Sequence, residues 1–231
     1  MKSLAKVPKI KKWDCGVLCA VLLLRIMIFA ISQIFTAPDS FEFIHMDGFQ
    51  WMHGVLDRYR LPLYPTLIEL CQRLSGGFSL KLVCIIQLFA SLGSIVALYA
   101  LFKKLSDKPY VYLPLFAACC ASNVMSYWDN LILTESLSLS LTAILLWALV
   151  CYIKEHKLRY IIIAIVTAGL GAFLRVTFAV YVGAIFVFLL LQLLFPGAEE
   201  TKKLCRSNAG KGLIATAIPI VLIVAFLDDD I

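Results

Sequence analysis

Residues 15–35 read CGVLCAVLLLRIMIFAISQIF, an apolar run broken by a single charge, Arg25, and long enough at about 20 residues to cross a bilayer as a helix. Five lysines, Lys2, Lys6, Lys9, Lys11 and Lys12, precede it. A basic segment before an apolar run is also the mark of a cleaved signal peptide. This run is long for that role and further apolar runs follow, so it reads as an uncleaved signal-anchor with the basic tail, residues 1–13, in the cytoplasm. Composition agrees: 61% of the 231 residues are hydrophobic, 16% are charged, and the mean hydropathy is +0.90, far more apolar surface than a soluble core of this length needs.

Downstream, the apolar runs are Phe78–Phe102, Tyr110–Met125, Leu131–Ile153, Tyr160–Leu174, Val176–Phe195 and Gly212–Leu227. The expected fold is an all-α polytopic transmembrane protein of about seven spans, a single domain over residues 1–231, with Tyr110–Met125, Tyr160–Leu174 and Gly212–Leu227 marginal in length. Threading these runs from a cytoplasmic N-terminus puts most of the 21 Lys and Arg residues on the cytoplasmic side. Only Arg25, Arg58, Arg60, Arg73, Lys81 and Arg175 fall elsewhere. The net charge of +6 therefore reads as topology, and with no basic stripe or interleaved aromatic motif no nucleic-acid partner is expected. The eight cysteines lie mostly in apolar runs and include no CxxC pair, so they read as small packing residues rather than a metal or disulfide framework.

The same threading places residues 36–77 in a first exoplasmic loop, ahead of the remaining spans in 78–231, and sets the 126–130 turn, Arg175 and the acidic tail Asp228–Asp230 on that side too. The loop holds Asp39, Glu42, His45, Asp47, His53, Asp57, Arg58, Arg60 and Glu69. Within it, Asp47–Tyr59 and Leu61–Leu74 show apolar residues at helical spacing, which predicts two amphipathic interfacial helices, the second opened by Pro62 and Pro65 and closed before Gly76–Gly77.

Several short motifs occur in a fixed order: Asp39–Ser40 after the first span, then Arg60, Pro62, Tyr64 and Pro65 as R-x-P-x-Y-P, then Leu133–Leu137 (LTESL), then Leu174–Arg175–Val176–Thr177. This arrangement resembles the GT-C superfamily of integral-membrane glycosyltransferases, in the branch of protein O-mannosyltransferases and lipid A aminoarabinose transferases. The Leu174–Thr177 element is similar to that branch's Arg-Pro-Thr/Glu motif, with Val176 where proline is usual. The resemblance implies transfer of a sugar from a polyprenyl-phosphate carrier to a lipid, protein or glycan acceptor on the exoplasmic face, commonly with inversion, in a bacterial inner membrane. It also implies a protein about twice this length, so a C-terminal half is expected to be lacking.

By that resemblance Asp39 matches the catalytic acid, and a carboxylate at a membrane-shielded site suits a general base on an acceptor hydroxyl. Pro38-Asp39-Ser40 also reads as a turn or helix cap. Glu135, about one turn inside a long apolar span, costs several kcal/mol unless it reaches a cavity or partner, and the resemblance makes it a substrate ligand. Arg175, Arg60 and Tyr64 complete the substrate-binding set, a guanidinium offering a fork suited to phosphate oxygens. Arg58 reads as interfacial, and mid-span Arg25 as a member of a structural ion pair.

His45, Asp47 and His53 with Asp39 and Glu42 form no compact ligand pattern; no cofactor is expected, although some members of the superfamily use divalent cations. The rival readings are a non-catalytic membrane subunit and a small-solute transporter. A transporter would place acids mid-span in broken helices, whereas here they gather at one membrane face. The topology predicts that a cysteine introduced as His45→Cys is labelled by an impermeant thiol reagent from the exoplasmic side; labelling only from the cytoplasm overturns the arrangement.

Overall fold

A computed structural model describes residues 12–53, 61–75, 78–121, 128–195 and 199–228. Its helices are α1 (Lys12–Ile31), α2 (Pro38–His45), α3 (Leu63–Ser75), α4 (Ser79–Leu105), α5 (Pro109–Ala121), α6 (Glu135–Glu155), α7 (Leu158–Ala172), α8 (Thr177–Leu194) and α9 (Glu199–Asp228), with short 3-10 turns at Gln50–His53 and Trp128–Asn130. No strand occurs among the described residues; the one extended pairing is a parallel bridge between Phe35 and Leu131. The chain is an all-α membrane protein. Apolar sequence favours this because a helix satisfies its own backbone polar groups where water is absent.

Among the described residues four helical segments are long and apolar enough to cross a membrane: Ser79–Leu105, Glu135–Glu155, Thr177–Leu194 and Arg206–Ala225. Three shorter apolar helical segments are Cys15–Ile31, Pro109–Cys120 and Leu158–Ala172. The last run, Gly212–Leu227, expected to be marginal in length, lies within the 30-residue α9, whose segment Arg206–Ala225 is long enough.

The first connection differs from expectation in a specific way. A helix forms at Pro38–His45, where proline at the first helical position is pre-set for the turn, and not from Asp47. The Asp47 carboxylate accepts from the Phe49 N–H at 2.9 Å, an Asx turn that competes with helix. The backbone of Gly48 then presses on α3: its N–H donates to Glu69 Oε2 at 2.6 Å, its carbonyl accepts from Thr66 Oγ1, and a Cβ here would collide with the Pro65 carbonyl. Residues 54–59 lie outside the described segments. The second expected helix is present as α3.

The core is built on α4 and α6, which share the most extensive helix interface. Both bury small residues, Ser91, Ser94 and Ala97 on one and Ser136, Ser140 and Ala143 on the other, and small side chains let helix backbones approach closely. Toward one end, α3 lays Tyr64, Ile68 and Cys71 on Val83 and Cys84 of α4, with Phe43, Ile132 and Leu174 completing the cluster. On the other side α6, α7, α8 and α9 pack around Leu145, Tyr152, Ile161, Ala164 and Leu189. Beyond it, Glu155 binds Lys104 and, at 2.6 Å, Lys157.

Over residues 128–134, ahead of α6, the chain leaves α-helical geometry, and its backbone groups find partners inside the protein. Phe35 N–H donates to Asn130 O at 2.9 Å and Phe35 O accepts from Ile132 N–H at 3.2 Å. Ser40 Oγ donates to Ile132 O at 2.7 Å. Gln87, fully buried in α4, donates from Nε2 to Leu131 O at 2.9 Å and Trp128 O at 3.1 Å, and accepts from the Tyr64 hydroxyl at 2.8 Å.

Arg25 resolves as an ion-pair member. Its Nε lies 2.8 Å from Asp129 Oδ2, with the residues 6% and 1% exposed. The guanidinium directs its N–H groups to Ser91 Oγ at 3.0 and 2.8 Å, while Ser136 Oγ donates to Asp129 Oδ1 at 2.6 Å. Burial pushes the Asp129 carboxyl up, and Arg25 and the Ser136 hydroxyl pull it back down.

Breaking a buried pair from one side leaves an uncompensated charge at a cost of about 3–5 kcal/mol. Arg25→Met is therefore expected to lower the melting temperature of the detergent-solubilised protein sharply, and adding Asp129→Asn to recover most of the loss. A Cβ at Gly171 would collide with the edge of the Phe178 ring, whereas one at Gly183 meets nothing within 4 Å. Gly171→Ala should destabilise by roughly 1–3 kcal/mol through overpacking, with Gly183→Ala near neutral in the same thermal assay.

Candidate active site

The polar frame just described carries three side chains to one place. Asp39 stands in the first turn of α2, next to Ser40, whose hydroxyl accepts from the Ala37 N–H at 2.8 Å and donates across to Ile132 O. Glu135 is the first residue of α6, at the end of the segment that Ser40, Gln87 and Phe35 hold. Arg175 occupies the turn between α7 and α8, where its own N–H donates to Gly171 O at 2.8 Å and its carbonyl accepts from Phe178 N–H at 3.0 Å. The close contact of Gly171 with Phe178 keeps that turn tight.

Asp39, Glu135 and Arg175 line a single cleft of about 300 Å³, together with Phe43, Leu61, Leu133, Thr134, Leu174, Val176 and Thr177. Arg175 Nη1 donates to Glu135 Oε1 at 3.0 Å, the two side chains being 42% and 26% exposed. The second carboxylate oxygen, Oε2, is buried without a hydrogen-bond partner among the described residues.

Glu135 therefore sits differently from the sequence expectation. It is not a turn inside a span that begins at Leu131; residues 131–134 are non-helical, and α6 begins with Glu135 itself. A carboxylate at that position meets the positive end of the helix dipole, worth roughly 0.3–1 kcal/mol when partly exposed. Neither α6 nor α8 has a side-chain cap bond at its N-terminus, and both ends reach the cleft through Thr134, Glu135, Val176 and Thr177. The cleft thus joins acceptor carboxylates, one guanidinium, two threonine hydroxyls and two helix N-termini, a set that can take a proton from a hydroxyl at one point and hold negative charge at another.

Tyr64 is placed away from the cleft. It is fully buried, its hydroxyl given to Gln87, its ring edge-on to Phe43 at 5.2 Å. Burial raises its phenol well above the ordinary value. Its contact with the site runs through Phe43, which lines the cleft. Arg60 and Arg58 lie outside the described residues.

Near Asp39, His45 Nδ1 contacts Phe41 O at 2.7 Å; no group of three or more His, Cys, Asp or Glu among the described residues is arranged to hold a metal. Sequence reading missed the residues that build the frame: Ser40 as a cross-link, Gln87, and Asp129 as the partner of Arg25. The one available signal was Gln87, a lone amide in the run Phe78–Phe102.

No curated protein and no solved structure matches the chain. A family model does, described as dolichyl-phosphate-mannose-protein mannosyltransferase, over residues 60–225. The match takes in Arg60, Tyr64, Glu135 and Arg175 and begins after Asp39. Covering well over half of the 231 residues and coinciding with an all-α bundle of long apolar helices, it shows that the chain belongs to the dolichyl-phosphate-mannose-protein mannosyltransferase family of membrane glycosyltransferases.

Proposed function

We propose that this protein transfers a sugar from a polyprenyl-phosphate carrier to a hydroxyl of a lipid, protein or glycan acceptor at the exoplasmic face of a bacterial inner membrane, its N-terminus in the cytoplasm. The observation that carries this reading is the meeting of Asp39, Glu135 and Arg175 in one cleft, from three elements far apart in sequence. Such a cleft at the end of a helical bundle is open to a headgroup that enters while its lipid chain stays in the membrane.

In this scheme Asp39, exposed at the cleft edge, takes the proton of the acceptor hydroxyl as its oxygen attacks the anomeric carbon. The bond between that carbon and the phosphate oxygen breaks with its electron pair remaining on the phosphate. Attack from the side opposite the departing phosphate inverts the anomeric centre. Arg175 meets the charge that builds on the leaving group, and electrostatic stabilisation of such charge in a water-poor site is commonly the largest contribution to rate.

Arg60 is a second candidate for the phosphate. Glu135 positions substrate beside Arg175, and Tyr64 supports the wall through Phe43. The residues act without a cofactor in this scheme.

Removing a general base typically costs 10²–10⁴-fold in rate. Asp39→Asn is expected to lower transfer from a polyprenyl-phosphate sugar in a membrane assay by roughly that factor, with protein level and melting temperature unchanged. Full activity in this variant overturns the role of Asp39.

A further inference from the structure

Arg175 is already engaged. Its guanidinium donates to Glu135 Oε1 at 3.0 Å from a single nitrogen, and the other oxygen of that carboxylate has no partner among the described residues. A phosphate that approaches Arg175 in this cleft meets the Glu135 carboxylate as well. It shares the guanidinium with that carboxylate, which already holds an N–H of Nη1, and it is repelled by the carboxylate's charge.

The strength of that repulsion depends on the state of the phosphate. A lipid-phosphate sugar is a phosphodiester with one negative charge. When the glycosidic bond breaks, the electron pair stays on the phosphate oxygen and the acceptor proton goes to Asp39. The leaving lipid is then a phosphomonoester, which carries close to two charges above its second pKa of about 6. Coulomb energy scales with the product of charges, so a fixed carboxylate nearby opposes the spent monoester about twice as strongly as the intact donor. Arg175 attracts both, and more strongly the monoester, which without opposition would stay bound.

We propose that Glu135 is a specificity-determining residue that sets which phosphate Arg175 retains: it limits the hold on the dianionic lipid monophosphate and so promotes its release, re-forming the Glu135–Arg175 pair in the emptied cleft. The inference rests on reading this cleft as a lipid-phosphate site.

The test uses the full chain in lipid nanodiscs at about pH 8, where a phosphomonoester is dianionic, with farnesyl phosphate and its methyl phosphodiester as probes. Arg175→Gln is expected to weaken both. Glu135→Gln is expected to tighten farnesyl phosphate by about tenfold, the scale of one nearby charge in a partly screened site, and to tighten the diester by a smaller factor. Glu135→Ser, a residue suited to a helix N-terminus, should behave like Glu135→Gln and guards against an effect peculiar to one variant.

If both Glu135 variants bind farnesyl phosphate no more tightly than wild type, or gain equally for both probes, the release role is overturned while the phosphate site stands. If Arg175→Gln binds both probes as wild type does, phosphate is not held at Arg175, and both this inference and the phosphate placement beneath it fall.

Discussion

Seven residues of backbone, from Trp128 to Thr134, leave α-helical geometry in a stretch that is largely buried within the protein, where little water can reach to hydrogen-bond them. Unsatisfied peptide groups there cost several kcal/mol each, so non-helical chain at such a place exists only where side chains and neighbouring backbone meet it. Gln87 does most of this work from within α4, taking Leu131 and Trp128 with one amide nitrogen while its oxygen holds Tyr64. Phe35 and Ser40 supply the rest from the other side. The cleft is tied to this requirement at two points: Ser40, which helps to satisfy the segment, adjoins Asp39, and the segment runs directly into Glu135.

The buried Arg25–Asp129 pair anchors the same segment from α1. Burying two charges gains little stability over an apolar pair of similar size, and its value here is better seen as register. Among the described residues Arg25 meets its carboxylate, Asp129, at the level of Ser91 and Ser136. This holds α1 at a fixed level against α4, and with it the exit point of the chain toward α2.

Much of the architecture was legible in the sequence because long apolar runs have one stable answer in a bilayer. Those between Phe78 and Phe195 are helices close to their expected limits, save that the 131–153 run begins at Glu135 and residues 122–125 of the 110–125 run lie outside the described segments. The departures share one cause, contacts distant in sequence. Ile132, Leu133 and Thr134 look like the first turn of a helix until Phe35 and Ser40 take the N–H and carbonyl of Ile132 and Gln87 takes the Leu131 carbonyl, which moves Glu135 to the helix start. Asp47 looks like the start of another until Gly48 is pressed onto Pro65 and Thr66. The residues of the cleft were named from motif order and charge placement, whereas the hydroxyl of Ser40 and the amide of Gln87 carry no local mark of their task. Tyr64 shows the reverse: its motif points to a substrate, and its surroundings give it to Gln87.

Ser40 and Ile132 are 92 positions apart, and that interval is also time. A ribosome adding about 5–20 residues per second delivers the second roughly 5–20 s after the first. During that wait the Ser40 hydroxyl lacks Ile132 O, and Phe35 lacks the Asn130 and Ile132 groups that it pairs with in the folded protein. The ladder closes only once residues 130–132 have been made, and the cleft is complete only after Arg175 has followed, so its assembly waits on the chain's middle and then on the turn between α7 and α8 rather than on anything near the N-terminus.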